Sequence, residues 1–458
     1  MKFRRFFGVS MAAVMAAGIL GGCGSPKQET PAADQETEAA GEETTAPETE
    51  TDGTAQAADG EEVTITFGFW GDTAEAEMKQ ALAEAYMKDH PNVKIEMEYT
   101  DGAGYLTKMQ TWLTSNSVPD VFGLANDHFF QWKGNPVFED LAPYIEKDGL
   151  GSDWDMDALA ASFGEEDGRI IATPFVTKTF AMAYNKDLFD KAGIEYPTAD
   201  WTEEDMLEAA KAITALSTAD EKIYGLRWGV RPPEFYRNLY GDMMYDMNTF
   251  EMKAEGNEKF KAAVSLFADT ISQGLAPDET SGAISTGGFE TGMYGMQLSA
   301  TWDIATFQSM IGDSFAWDVV VLPMNTKFNT RMLTTLRSNG WCMNSGSENK
   351  EVCWDFIKFL SASEEATKAS QTIGIPSSVS FISSDDYLND FGEGTAYDKK
   401  AFVDMLDWTT DFNNLGAFAE VNDMVKEQYE LLLAGQVTID EMISEVQTQG
   451  DAILSTAQ

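Results

Sequence analysis

Residues 63–100 read VTITFGFWGDTAEAEMKQALAEAYMKDHPNVKIEMEYT. The run from Val63 to Trp70 alternates like a strand and ends in Gly71-Asp72. From Ala74 to Lys88 the apolar Met78, Leu82, Ala85 and Tyr86 recur on one helical face. His90-Pro91-Asn92 stops that helix, and Val93, Ile95, Met97 and Tyr99 alternate as the next strand. Leu106, Met109 and Leu113 mark a second helix, and Val118–Leu124 reads as a third, buried strand. Strand–helix–strand–helix–strand predicts an α/β fold whose parallel sheet carries helices on both faces. Ligands of such sheets bind at the carboxyl ends of the strands. Trp70 ends the first strand, Asp72 follows it, and Asn126-Asp127 lies just past the third. These are the first candidates for a pocket.

Toward the amino terminus the pattern stops. Residues 25–62 are rich in Glu, Thr, Ala, Gly and Asp and contain no aromatic or large aliphatic residue. Such a stretch cannot bury enough apolar surface to offset its ordering entropy, which predicts a disordered acidic tether. At roughly 5–6 Å × √n it reaches about 35 Å. Before it, Lys2, Arg4 and Arg5 precede an apolar run from Val9 to Leu20, then Gly21-Gly22-Cys23. A basic head with a short apolar run is the form of an export signal, and the run is too short for a permanent span, which needs about 20 apolar residues. Leu20-Gly21-Gly22-Cys23 resembles the bacterial lipobox. That resemblance implies a signal peptide over 1–22, cleavage before Cys23, diacylglycerol on its sulfur and an acyl (palmitate-type) anchor in the cell membrane. The polypeptide would then face the extracellular side, as on a Gram-positive surface.

From Val63 about 395 residues remain, too many for one core and natural for two lobes. Most of the net charge of −45 lies in this body, which argues against nucleic acid as a partner and against stable adhesion to anionic headgroups. Beyond Cys23 only Cys342 and Cys353 remain. Their apolar contexts suit buried free thiols, with a bridge left open.

Further along, Thr173–Phe175 through Phe180–Phe189 reads as an extended run turning into a helix, and Asp200 or Thr202 caps a long helix. Val319–Pro323 and Ser338–Asn344 read as strands, and Lys350–Leu360 as a helix with Val352, Phe356, Phe359 and Leu360 inward.

The order of these pieces resembles the extracellular solute-binding proteins of carbohydrate ABC importers, the group related to maltodextrin-binding proteins. The resemblance rests on the strand ending in Trp70, on Pro119-Asp120-Val121, on Tyr184-Asn185-Lys186-Asp187-Leu188-Phe189, and on Pro197, Trp201 and Glu204. It continues through Gly292, Met296 and Trp302-Asp303, then Leu322-Pro323, and Asn349-Lys350 before Trp354-Asp355-Phe356-Ile357-Lys358-Phe359-Leu360. It implies a two-lobed, periplasmic-binding-protein-like (Venus flytrap) fold, each lobe a sheet flanked by helices, with a hinge of crossing strands. Strands would cross near Thr173–Thr177, return near Met332–Ser338 and cross again after Ile375-Pro376. The first lobe would be 63–175 with 338–376, and the second 176–337 with 377–458. The implied function is capture of a mono- or oligosaccharide between the lobes and delivery to ABC permease subunits, as a monomer without a cofactor.

Sugars present apolar C–H faces ringed by hydroxyls, so a site for them needs flat aromatic surfaces and fixed polar groups. The body holds all 11 Trp. Trp70 and Trp302 are the leading stacking candidates, since each ends a strand-like run beside a polar residue. Trp228 and Tyr236 lie in a segment where similar proteins place aromatics against sugar, and Trp341 faces either the cleft or the sheet. Asn126, Asp127 and Asp303 are the candidates for hydroxyl groups, while Asp120 fits a turn anchor and Tyr184 a structural role.

Catalytic readings have less to stand on. His90 and His128 are the only histidines, and no Gly-x-Ser-x-Gly elbow is present. Asp153-x-Asp155-x-Asp157 lacks the glycine and closing glutamate of a calcium loop and reads as an acidic helix start. The rivals are a lipid-anchored glycoside hydrolase, which needs a carboxylate pair that nothing singles out, and a sugar-binding adhesin, for which candidates spread over two lobes are ill suited.

Overall fold

The structure, a computed structural model, describes residues 62–456 except 133, 166, 230–238, 247–248, 280–286, 392–393 and 411–415. Cys23 and the acidic tether therefore lie outside the described residues, as does Tyr236.

Strand β1 (Val63–Trp70) leads into α1 (Thr73–Asp89), β2 (Val93–Thr100), α2 (Gly102–Ser115), β3 (Val121–Ala125) and α3 (Asn126–Trp132). Then come α4 (Ala142–Asp148), α5 (Met156–Phe163), β4 (Thr173–Lys178), β5 (Phe180–Asn185), α6 (Lys186–Ala192), α7 (Glu203–Thr214) and β6 (Tyr224–Arg227). They are followed by α8 (Glu258–Ser272), β7 (Tyr294–Ala300), α9 (Asp303–Ile311), β8 (Trp317–Val320), β9 (Arg337–Met343), α10 (Lys350–Ala362) and β10 (Ile375–Pro376). The chain closes with α11 (Gly416–Leu433) and α12 (Ile439–Leu454). Among the described residues no helix is long and apolar enough to cross a membrane.

Local chemistry sets these boundaries. The Asp72 carboxylate accepts the Glu75 amide at 2.9 Å and so caps α1. Thr202, not Asp200, caps α7 in a reciprocal capping box with Asp205. The extended run at 173–185 is two strands rather than one, and Asn185 caps the helix after it.

Two sheets result. One has the order β10-β4-β9-β3-β1-β2 and the other β8-β5-β7-β6. In the first, β2, β1 and β3 run parallel, as their helical crossovers require. β9 returns antiparallel between β3 and β4, so the sheet is mixed rather than uniformly parallel. Each sheet carries its own apolar core. That of the first lobe includes Phe67, Phe69, Val121, Trp341 and Phe356. That of the second includes Phe180, Met182, Tyr294, Met296 and Trp317. The chain passes between them at β4 to β5 and again into β9.

Other polar groups resolve into scaffold. Asp120 receives the Thr66 amide and hydroxyl, both at 2.8 Å, and the Ser347 hydroxyl at 2.6 Å, tying β1 to the turn before α10. Asp155 caps α5, and no group of His, Cys, Asp or Glu able to hold a metal is found among the described residues. Cys342 and Cys353 are free and buried, and burial pushes the Cys353 thiol up to about 11.

Candidate functional site

Where β1 and β3 end, the crossing strands and the second lobe enclose a cavity of about 270 Å³. Trp70 enters from the end of β1, Tyr105 from α2, and Asn126, His128 and Trp132 from α3. Trp302 enters from the second lobe, just past β7, while Lys178, Arg337 and Asn339 come from the strands that join the lobes. Strand alternation sorts the last group. On β9, Arg337 and Asn339 face this cavity, whereas Ser338 and, just before the strand, Leu336 line a second one of about 330 Å³ on the other side of the crossing strands.

Trp70 lies against β3 because residue 123 is glycine. A Cβ there would stand 2.6 Å from the Trp70 ring. Tyr105 packs beside it at 5.1 Å between ring centroids and donates to the Gly123 carbonyl at 2.8 Å. On the facing wall Trp302 meets the edge of Phe180, and Lys178 and Arg337 lie 5.6 and 5.8 Å from its centroid. Two tryptophans from two cores thus face one cavity, with cationic side chains between them.

Residues 81–390 match the family described as bacterial extracellular solute-binding protein. The chain belongs to that family. A binding protein of Brucella abortus (strain 2308) is 23% identical over 410 residues, covering 87% of this chain and 95% of that one. The ABC substrate-binding protein Lmo0181 of Listeria monocytogenes, solved with cycloalternan, is 26% identical with a TM-score of 0.72, covering 86% of this chain and 99% of that one. The sugar-binding protein MalE of Xanthomonas citri is 20% identical with a TM-score of 0.73, covering 86% and 98%. The two-lobed α/β fold expected from the sequence is the fold of these proteins.

The solute-binding protein places the predicted site residues unevenly. Trp70, Trp302 and Asn126 line the cavity. Asn126 is also a clamp, donating to the Leu336 carbonyl at 3.0 Å and accepting the Ser338 amide at 2.9 Å, so it ties α3 to β9. Asp72 and Asp303 do not line it. Asp72 is the cap of α1, and Asp303 accepts the Ala300 amide at 2.8 Å at the start of α9. Trp228 is core: its indole N–H donates to Thr270 at 2.8 Å and its ring meets the edge of Phe267 at 4.5 Å. Trp341 is core as well, 2% exposed between Phe67 and Phe175. The Asp127 side chain and Tyr236 lie outside the described residues.

Tyr105, His128, Trp132, Lys178, Arg337 and Asn339 were not anticipated. Lys178 and Arg337 sit at the ends of the segments expected to cross between lobes, and side-chain alternation along those segments was the available signal. Tyr105 and Trp132 are helical aromatics whose facing depends on how the helices dock.

Proposed function

We propose that the solute-binding protein captures a saccharide between its lobes and hands it to an ABC importer permease, held near that permease by lipid on Cys23. The observation that carries the reading is the pair Trp70 and Trp302, brought from separate apolar cores onto one cavity with Lys178, Arg337, Asn339 and His128 around them. Two indole faces give stacking surfaces for the C–H faces of pyranose rings. The surrounding amide, imidazole and cationic groups supply donors to ring hydroxyls. The likeness to the Listeria protein solved with cycloalternan points the same way.

A ligand touching both walls favours the arrangement that brings them together, and its differential affinity for that arrangement drives closure. Such a protein binds without turnover. Two acyl chains on Cys23, buried in the bilayer at about 0.8 kcal/mol per CH₂, make a stable anchor. The acidic tether keeps the receptor within a leash of about 35 Å, which raises its effective concentration at the transporter.

The test is a thermal-shift panel of cycloalternan and of linear glucan, mannan and xylan oligomers, with reducing ends measured in parallel. A saccharide that stabilises the protein by about RT ln(1 + [L]/Kd), without new reducing ends, is the expected result. Released sugar would replace the transport reading with hydrolysis.

A further inference from the structure

Lys79 lies on α1 and is only 1% exposed, yet it sits directly behind the cleft. Its ammonium donates to the Trp70 carbonyl at 2.7 Å and to Glu75 Oε1 at 3.0 Å. The same Nζ stands 4.8 Å from the Trp70 ring centroid and 5.6 Å from that of Trp341. An unbranched apolar side chain would fill this space without taking a charge out of water, and such exchanges of buried ions are often neutral or stabilising. The ammonium therefore needs a reason other than packing, and its contacts supply one. Glu75 stands 4.0 Å from Lys178, and Lys178 is 5.6 Å from the Trp302 ring. A line of contacts runs from the Trp70 carbonyl through Lys79, Glu75 and Lys178 to Trp302, from one wall of the cavity to the other.

We propose that Lys79 is a positioning residue for the cleft, holding the Trp70 ring from behind and, through Glu75, setting the place of Lys178 beside Trp302. The proposal rests on the saccharide reading for its effect on affinity, though not for its effect on Trp70. Protonated Lys79 attracts the faces of the rings around it and shares the Glu75 carboxylate with Lys178. Deprotonated, it loses the attraction to the rings and leaves that carboxylate to Lys178 alone. The charged groups facing it are Glu75 and Asp72 on its own helix and Lys178 on β4, while β1 and β9 present aromatic rings. Burial lowers its pKa to about 8, with Glu75 opposing the fall and Lys178 adding to it. The switch falls in an accessible range.

The experiment follows intrinsic tryptophan fluorescence of the ligand-free protein from pH 6.5 to 9.5, and the Kd for cycloalternan at pH 7 and pH 9. The wild type is expected to show a fluorescence transition near pH 8 and at least fivefold weaker binding at pH 9. Lys79→Met should abolish both changes, and Trp70→Phe should shrink the fluorescence transition, leaving what Trp341 contributes. Glu75→Gln removes the carboxylate that supports the charged form, so the midpoint should move to lower pH, which a packing role would not produce. A wild type without the transition, a transition that persists in Lys79→Met, or an unmoved midpoint in Glu75→Gln would each overturn the proposal. If Lys79→Met does not fold, Glu75→Gln still decides. Absence of cycloalternan binding in every variant counts against the saccharide reading alone, because the fluorescence titration needs no ligand.

Discussion

Two pairs of tryptophans separate binding from packing at the residue scale. Trp70 and Trp302 line the cavity and are partly exposed, whereas Trp228 and Trp341 are 3% and 2% exposed within the two cores. Trp302→Ala should weaken the saccharide by about 2 kcal/mol, roughly 30-fold in Kd, with little change in melting temperature. Trp228→Ala should do the reverse, costing about 3–5 kcal/mol of stability through the cavity left around Thr270 and Phe267. Calorimetric Kd and thermal unfolding on the two variants check both directions, and parallel losses would defeat the assignment. The sequence offered all four as aromatic candidates, Trp70 and Trp302 because each ends a strand-like run beside a polar residue. It ranked Trp70 and Trp302 first but kept Trp228 and Trp341 as candidates, because one indole serves a sugar face or a core equally well until its neighbours are known.

At the scale of elements, joints at the ends of helices and strands fix neighbouring segments together. One is Asp153, in the loop before α5. Its carboxylate accepts the Ser378 hydroxyl and the Ser380 amide, and its carbonyl accepts the Val379 amide. Partial burial alone would raise its pKa, but the hydrogen bonds from Ser378 and Ser380 outweigh that and hold it below the ordinary 3.8. A carboxylate with a depressed folded pKa contributes stability that is present above its unfolded value and lost as pH falls through the folded one. Asp153→Asn should therefore lower the melting temperature at pH 7, and lower it by less as the pH falls below the ordinary carboxylate value of 3.8. An equal loss at both pH values would show that the carboxylate charge is not what matters there. A second joint is Gly123, whose missing Cβ leaves room for the Trp70 ring. Gly123→Ala should displace that ring and weaken ligand binding about tenfold or more while β3 keeps its pairing, as read by Kd against far-ultraviolet circular dichroism. Much of this level was legible beforehand. Strand period, helix period and stop signals marked β1 to β3 with their helices, because those patterns are local. The capping role of Asp72 was missed although the Gly71-Asp72 turn preceded a helical face, since an aspartate at a strand end suits a helix cap and a ligand contact alike.

For the whole molecule, the proposed lipid on Cys23 and the proposed acidic leash predict a separation of location from affinity. Cys23→Ser should release the protein from the cell surface into the medium, seen by fractionation and immunoblot, while the purified variant keeps the wild-type Kd. Retention at the surface would reject the lipid anchor. The sequence by itself determined the alternation of strands and helices, the acidic segment before Val63 and the collinear landmarks of the solute-binding family, because each depends on residues close in the chain or on their order. Only the tertiary structure decided that β9 returns antiparallel between β3 and β4, that Trp70 and Trp302 share a cavity while Trp341 and Trp228 do not, and that Lys79 stands behind Trp70. Those outcomes depend on which faces meet across hundreds of residues, and side-chain facing at a junction of two sheets is set by docking rather than by any local period.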